Sequence, residues 1–367
     1  MSRIFLLDPL AAGPLLQEVL GQPPMSRVLV EMEGVGVTTL NTAFPMPHVD
    51  ETGRTTATAI DIEDAGVYDR LSFFAQVLGA HPVPKHGTMD GEEVSGILFV
   101  TDAPSERIET DWAHDPAGTA VLAAREIMGY YGRLPAQDVA GRMSMILSRA
   151  AATCAAMVQQ PPETRSATPH DAVTVHAQEA THEGFFLTRT YDLQHPRFDG
   201  TISPRLSREV FIGTDAVIVL PYDPVRDRVL LVEQFRMGPF ARGDTYPWVL
   251  EPVAGRVDAG ETPETAVRRE CEEEAGLTLS SLEHVTSHYC SPGASSEFFH
   301  CYIAFADLPD EAAGLGGVAS EHEDIRTHIL SFDQAMGLLS SGEANIGPMI
   351  LLLLWLDRER PRLRGSA

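Results

Sequence analysis

The chain has 367 residues, of which 44% are hydrophobic and 22% charged, with a formal net charge of −25. The length suits two domains and the composition suits a globular protein. Such acidity argues against binding to nucleic-acid backbones or anionic membranes, since both need a positive surface, and the basic residues are all Arg except Lys85.

The first hundred or so residues read as short strands and turns. "SRVLVEMEGVGVTTL" and "SGILFVTD" are apolar runs bounded by Gly, Asp and Pro, and "VYDRLSFFAQVLG" reads as a short helix between them. No secretory leader is expected, because Asp8 interrupts the opening apolar stretch. From about residue 116 the pattern turns helical: "PAGTAVLAAREIMGYYG" and "AQDVAGRMSMILSRAAATCAAMV" carry Ala and Met at three-to-four spacing. The stretch 159–171 has two prolines, polar residues and no apolar period, and is expected to be the linker. The expected organisation is therefore a first domain over 1–110, a helical segment and linker over 111–171, and a second domain over 172–367.

In the second domain "AVIVLPYDPVRDRVLLVEQF" reads as two strands around a turn and "YPWVLEPVAGRV" as a further extended run. A helix is expected to start with Thr262 as N-cap and Pro263 at its first position, and to stop at Gly276. Strands then follow in "LEHVTSHYC", "EFFHCYIAFAD" and "IRTHILS", and helices in "FDQAMGLLSS" and "GPMILLLLWLDRE". Strands and helices mixed in this way predict an α/β layered sandwich. The run "MILLLLWL" is too short to span a bilayer. Four cysteines without CxxC spacing (Cys154, Cys271, Cys290 and Cys301) read as buried free thiols in a reducing compartment, so a cytoplasmic location is expected.

The segment 255–277, "GRVDAGETPETAVRRECEEEAGL", holds seven carboxylates. Taken alone, such a run is most often a solvated acidic helix face. On a helix, however, Glu270 and Glu274 are i,i+4 neighbours on one face with Glu273 beside them. Converging carboxylates near a glycine turn suit Mg²⁺, a hard octahedral cation. The spacing Gly255, Glu261, Arg269-Glu270, Glu273-Glu274 and Gly276 fits the pattern GX5EX7REUXEEXGU at every fixed position. A chance match has odds on the order of 10⁻⁷.

That pattern is the Nudix box, and the chain resembles the Nudix hydrolases. The flanking runs "SREVFIGTDAVIVLPYDPVRDRVLLVEQFR", "PWVLEPVAGRVDAGE", "SPGASSE" and "SEHEDIRTHIL" resemble the ADP-ribose pyrophosphatases of that family over roughly residues 185–360. The resemblance implies an α/β/α sandwich with a mixed sheet and hydrolysis of the diphosphate of ADP-ribose to AMP and ribose 5-phosphate. The alternatives are another nucleoside diphosphate sugar as substrate, or a nucleotide-sugar sensor without useful turnover. Implied metal ligands for Mg²⁺, with Mn²⁺ as a substitute, are Ala254 (through its carbonyl), Glu270, Glu274 and Glu323. Glu321 is implied to position or deprotonate the attacking water, with Glu273 next in line. Arg208, Glu209, Arg236, Ser291 and Glu297 are implied substrate contacts. As alternatives, Arg236 can be a strand-end ion pair, Glu321 a solvated loop acid, and Ser291 part of a simple turn. A homodimer is implied by resemblance only.

The first half resembles, in layout, tellurite-resistance proteins in which a smaller α+β domain similar to γ-glutamylcyclotransferases precedes a Nudix domain. Where active relatives carry a YGxL-type loop this chain has Leu7-Asp8-Pro9-Leu10, and where they carry an acid it has Ala75. Without loop and base, this domain is expected to be inactive.

Overall fold

The computed structural model describes residues 2–7, 10–11, 13–22, 27–39, 43–102, 116–158, 162–318 and 323–365. The chain divides into two units, one of residues 1–167 with 258–260 and one built from 168–257 and 261–367.

In the first unit, strands β1 (Ser2–Leu6), β2 (Val28–Thr39), β3 (Pro45–Ile62), β4 (His81–Met89) and β5 (Glu92–Val100) close into a barrel in the order β1-β3-β2-β4-β5. β1 and β5 pair in parallel, and the other neighbours are antiparallel. Alternation along β1 sorts side chains between two cores. Phe5 joins Val30, Met32, Ala57 and Leu98 inside the barrel, while Ile4 and Leu6 face outward. The outer core is completed by α1 (Gly13–Leu20), α2 (Ala65–Val77), α3 (Pro116–Gly129), α4 (Ala136–Ala140) and α5 (Met143–Met157). α3 and α5 contribute Ala120, Ala124, Ile127 and Ile146 to this same core, so the helical stretch and the barrel share their buried surface. The run expected as one helix over "AQDVAGRMSMIL" breaks after Ala140 into α4 and α5.

The second unit opens with a three-stranded antiparallel sheet of β6 (Thr174–Glu183), β7 (Leu187–Gln194) and β8 (Leu206–Ile212). The main sheet follows: β9 (Asp215–Asp223), β10 (Arg228–Phe235), a short α6 (Met237–Arg242), β11 (Trp248–Glu251), β12 (Val253–Arg256), α7 (Pro263–Ala275), β13 (Ser281–Tyr289), β14 (Phe298–Phe305), β15 (Leu315–Gly316) and β16 (Ile325–Ser331). Its order is β13-β14-β9-β10-β16-β15, with β11 on β10 and β12 on β9. β14 and β9 are parallel and the remaining pairs antiparallel, which makes the sheet mixed.

Both faces are covered, so the central strands are apolar on both sides. Val217, Val219, Leu230 and Val232 face α7, meeting its Ala266, Val267 and Cys271. Ile218, Leu220, Val229 and Leu231 face α8 (Phe332–Ser341) and α9 (Gly347–Gly365), meeting Phe332, Leu352 and Leu356. This is the α/β/α sandwich expected from the sequence. The expectation for the thiols needs correction: Cys271 and Cys301 are buried, Cys154 is partly covered, and Cys290 is exposed because it follows the last residue of β13 at the start of a loop. No helix among the described residues is long and apolar enough to cross a membrane.

Candidate active site

α7 begins and ends where its local chemistry dictates. The Thr262 hydroxyl accepts from the backbone N–H of Thr265 at 3.1 Å, and Pro263, which has no N–H to satisfy, takes the first position. At the other end Gly276 adopts the left-handed conformation (φ 63°) that closes the last turn. Between these caps the acids separate by face. Glu270 and Glu274 are 9% and 2% exposed, whereas Glu272 and Glu273 face solvent. The buried pair lies toward the C-terminal end, where the helix dipole disfavours negative charge.

β12 supplies the floor. A Cβ at Gly255 would overlap the Glu270 carboxylate, so only glycine lets that group settle against the strand. One residue earlier, the backbone N–H of Ala254 donates to Glu274 Oε2 at 3.2 Å. Arg269 binds the cluster with its planar fork. It holds Glu261 through Nε (2.8 Å) and Nη2 (2.9 Å), Glu270 Oε1 through Nη1 (2.6 Å) and Glu273 through Nη1 (3.0 Å), and also donates to the Arg256 carbonyl (2.9 Å). Glu323 enters from the segment before β16, where its Oε2 accepts from the Val318 N–H at 3.0 Å.

Burial pushes the Glu270 carboxyl up to about 7; Arg269 opposes the rise, and the charges of Glu273 and Glu323 add to it. Burial likewise pushes Glu274 up to about 8, opposed by the Ala254 N–H and reinforced by Glu270 and Glu323. Glu270, Glu274 and Glu323 therefore act on one another, and a cation is what this acidic set needs to ionise fully. Among the described residues no three His, Cys, Asp or Glu side chains meet closely enough to form a metal cluster by themselves. Glu270 and Glu273 lean on Arg269 instead. The donor set of carboxylate oxygens and a glycine floor fits a hard divalent ion completed by water or substrate oxygens.

A NUDIX domain model matches residues 213–353, which include this whole region. An ADP-ribose pyrophosphatase of Escherichia coli (strain K12) is 38% identical over 194 residues, covering 53% of this chain and 92% of that protein. The chain belongs to the Nudix family. An ADP-ribose pyrophosphatase of Haemophilus influenzae is 35% identical over 196 residues, covering 53% of this chain and 90% of its own length. A GDP-mannose pyrophosphatase of Escherichia coli O1:K1 is 36% identical over 169 residues, 46% of this chain and 85% of the relative. Nudix hydrolases generally use divalent metal ions, in keeping with the oxygen donors of α7.

Of the remaining residues singled out in the Nudix sequence, Arg208, Glu209, Ser291 and Glu297 lie on two segments that are tied together. Arg208 and Glu209 stand exposed on β8, with Arg208 donating to the Ser207 carbonyl at 2.8 Å. The end of β8 is tied to the "SPGASSE" loop, since the Phe211 N–H donates to the Ala294 carbonyl (2.9 Å) and the Ser296 N–H to the Phe211 carbonyl (3.0 Å). Within that loop the Ser291 carbonyl accepts from Ala294 and Ser295, which makes the turn. Glu297 accepts from the Cys290 thiol at 3.1 Å and packs on Gly213, where a Cβ would come within 2.8 Å of its own. Glu297 leads into β14, which pairs with β9, and β9 carries β12 with Ala254 and Gly255. The sheet thus links the loop group to the acidic group. Arg236 pairs with Glu251 at 2.6 Å, so the strand-end ion pair is present. Glu251 was not anticipated as its partner, because their strands come together only through tertiary pairing. Glu321 lies outside the described residues.

Proposed function

We propose that this chain is a Mg²⁺-dependent diphosphatase that hydrolyses ADP-ribose to AMP and ribose 5-phosphate. The observation that carries the reading is the pair of buried carboxylates, Glu270 and Glu274, held over Gly255 and Ala254 beside the Arg269 fork. The ADP-ribose pyrophosphatases, matched over nine-tenths of their length, support the substrate. Glu270, Glu274, Glu323 and the Ala254 carbonyl would hold Mg²⁺, or Mn²⁺ in its place. When bound, the ion supplies charge neutralisation and polarises a phosphoryl oxygen. Glu321 would position or deprotonate the attacking water, with Glu273 as its substitute, while Arg208, Glu209, Arg236, Ser291 and Glu297 would hold the substrate. Arginines matter here because a chain of net charge −25 must attract an anionic ligand locally. The GDP-mannose pyrophosphatase likeness favours another nucleoside diphosphate sugar as the second reading.

The first unit extends this reading as a cyclotransferase-like domain without activity. A closed five-stranded barrel supports it, and so does an apolar cavity that places Ala75 among Leu7, Leu10, Phe74 and Leu98, with no titratable group among its described lining residues. The second unit acts as a homodimer in this reading, supported by β6, which is exposed along nearly its whole length, and by exposed Phe185 and Phe186. Free cysteines support a cytoplasmic setting.

One experiment tests the core of the proposal. The full chain with Mg²⁺ is offered ADP-ribose, ADP-glucose, GDP-mannose and a γ-glutamyl dipeptide, scored for nucleoside monophosphate and 5-oxoproline. ADP-ribose should be the best substrate and no 5-oxoproline should form. Glu270→Gln and Glu274→Gln should each lower turnover by more than the roughly 10–100-fold lost with a metal-supporting group. Full turnover in both variants would overturn the metal assignment.

A further inference from the structure

Gln234 is a polar side chain placed where the sequence otherwise puts core residues. On β10 it is 7% exposed, and its Nε2 is buried without a hydrogen-bond partner among the described residues. An unsatisfied buried amide costs stability, and the great majority of buried polar atoms are paired. Its position explains what it is for. The α7-facing residues Leu230 and Val232 alternate along β10 with Val229 and Leu231, which face α8 and α9. The unbroken pairing of Val232, Glu233, Gln234 and Phe235 with Glu251, Leu250, Val249 and Trp248 carries that alternation on to Gln234. Gln234 therefore faces the α7 side.

On that side it is bracketed. Glu251 stands opposite Val232, and Arg236, two residues past Gln234 in extended backbone, reaches back to Glu251 at 2.6 Å. Glu251 lies three residues before Ala254, whose N–H holds Glu274 Oε2, so this stretch of β10 borders the acidic cleft. The acids of this side of the sheet, Glu251 on β11 and Glu270 and Glu274 on α7, accept hydrogen bonds when ionised but do not donate them. A neutral donor on this face of the sheet, two residues from an arginine, suits an anionic oxygen, which needs an N–H and tolerates no further carboxylate.

We propose that Gln234 is a substrate-binding residue, its Nε2–H group donating to a phosphoryl oxygen of a nucleoside diphosphate held in the cleft. The inference rests on the diphosphatase reading above and adds a contact that the motif does not specify. Gln234→Met keeps the side-chain volume, removes the donor and removes the orphaned amide. The full chain carrying this change should melt at or above the wild-type temperature, while kcat/KM for ADP-ribose falls about 10-fold to 100-fold, the worth of a hydrogen bond to a charged group. Competitive inhibition by inorganic pyrophosphate should weaken by a similar factor. Gln234→Glu, of the same shape but without the donor, should lose at least as much.

The outcomes separate cleanly. A Gln234→Met protein with intact kcat/KM and intact pyrophosphate inhibition overturns the inference and leaves the diphosphatase reading standing. A fall in melting temperature together with activity makes Gln234 a structural residue, which also overturns it. If wild-type protein fails to hydrolyse ADP-ribose, calorimetric binding of ADP-ribose to wild type and Gln234→Met decides the point. Weaker binding in the variant supports the contact while the turnover reading fails, and no difference sinks both.

Discussion

Gly255 has no side chain, and the Glu270 carboxylate occupies the space that one would take. The two residues form a single contact, and its disruption is a direct test of the site. Gly255→Ala forces β12 or α7 to shift, at a cost of about 1–3 kcal/mol for an overpacked position. Chemical denaturation should show that loss, and turnover should fall with it because Glu270 is displaced. An unchanged midpoint with full activity would mean the floor is not where the structure has it. Much of this site was readable residue by residue, since Gly255, Arg269, Glu270 and Glu274 announce themselves by spacing along one helix and its preceding strand. Glu251 and the orphaned donor of Gln234 were not readable, because each gains its meaning from a neighbouring strand.

Elements divide in the same way. α7 was legible because its signals are local: an N-cap threonine, a proline at the first position and a glycine at the close. β9 and β10 were legible as apolar runs around a turn. β3 was not, since "PMPHVDETGRTTATAIDI" carries little hydrophobic contrast and owes its form to pairing with β1 and β2. β6 escaped for a related reason: with nearly every residue exposed, it has no apolar face to betray its period. A strand bare on both faces, next to Phe185 and Phe186 meeting edge to face at 5.0 Å, is where the proposed second copy would sit. Sedimentation should give a dimer, and Phe185→Ser with Phe186→Ser should shift it to monomer. A wild-type monomer at micromolar concentration would refute that assembly.

At the scale of the whole molecule, stability should depend on pH through the buried acids. Glu270 and Glu274 ionise near 7 and 8 in the fold against an ordinary value of 4.5, so the folded chain holds more protons than the unfolded one in between. Their contribution is fully present below about pH 4.5 and is lost as pH rises through 7 to 8, at roughly 1.4 kcal/mol per pH unit and group at most. Thermal melts of metal-free protein should therefore show a decline from these groups between about pH 5 and 8. Mg²⁺ binds the ionised form and should restore the loss, its stabilising effect growing with pH over that range. A Mg²⁺-induced rise in melting temperature that is the same at pH 6 and pH 8 would contradict this linkage.

The meeting of Gly255 with Glu270 also turns the chain between them into a ruler. Surface loops ordinarily absorb an extra residue at little cost. This one is closed at both ends by a contact with no slack, and Arg269 adds a second tie from α7 to the Arg256 carbonyl. An inserted or deleted residue anywhere along the interval must displace one end. The fixed count of residues is therefore a mechanical property of the fold, and for that reason it can be recognised from letters alone.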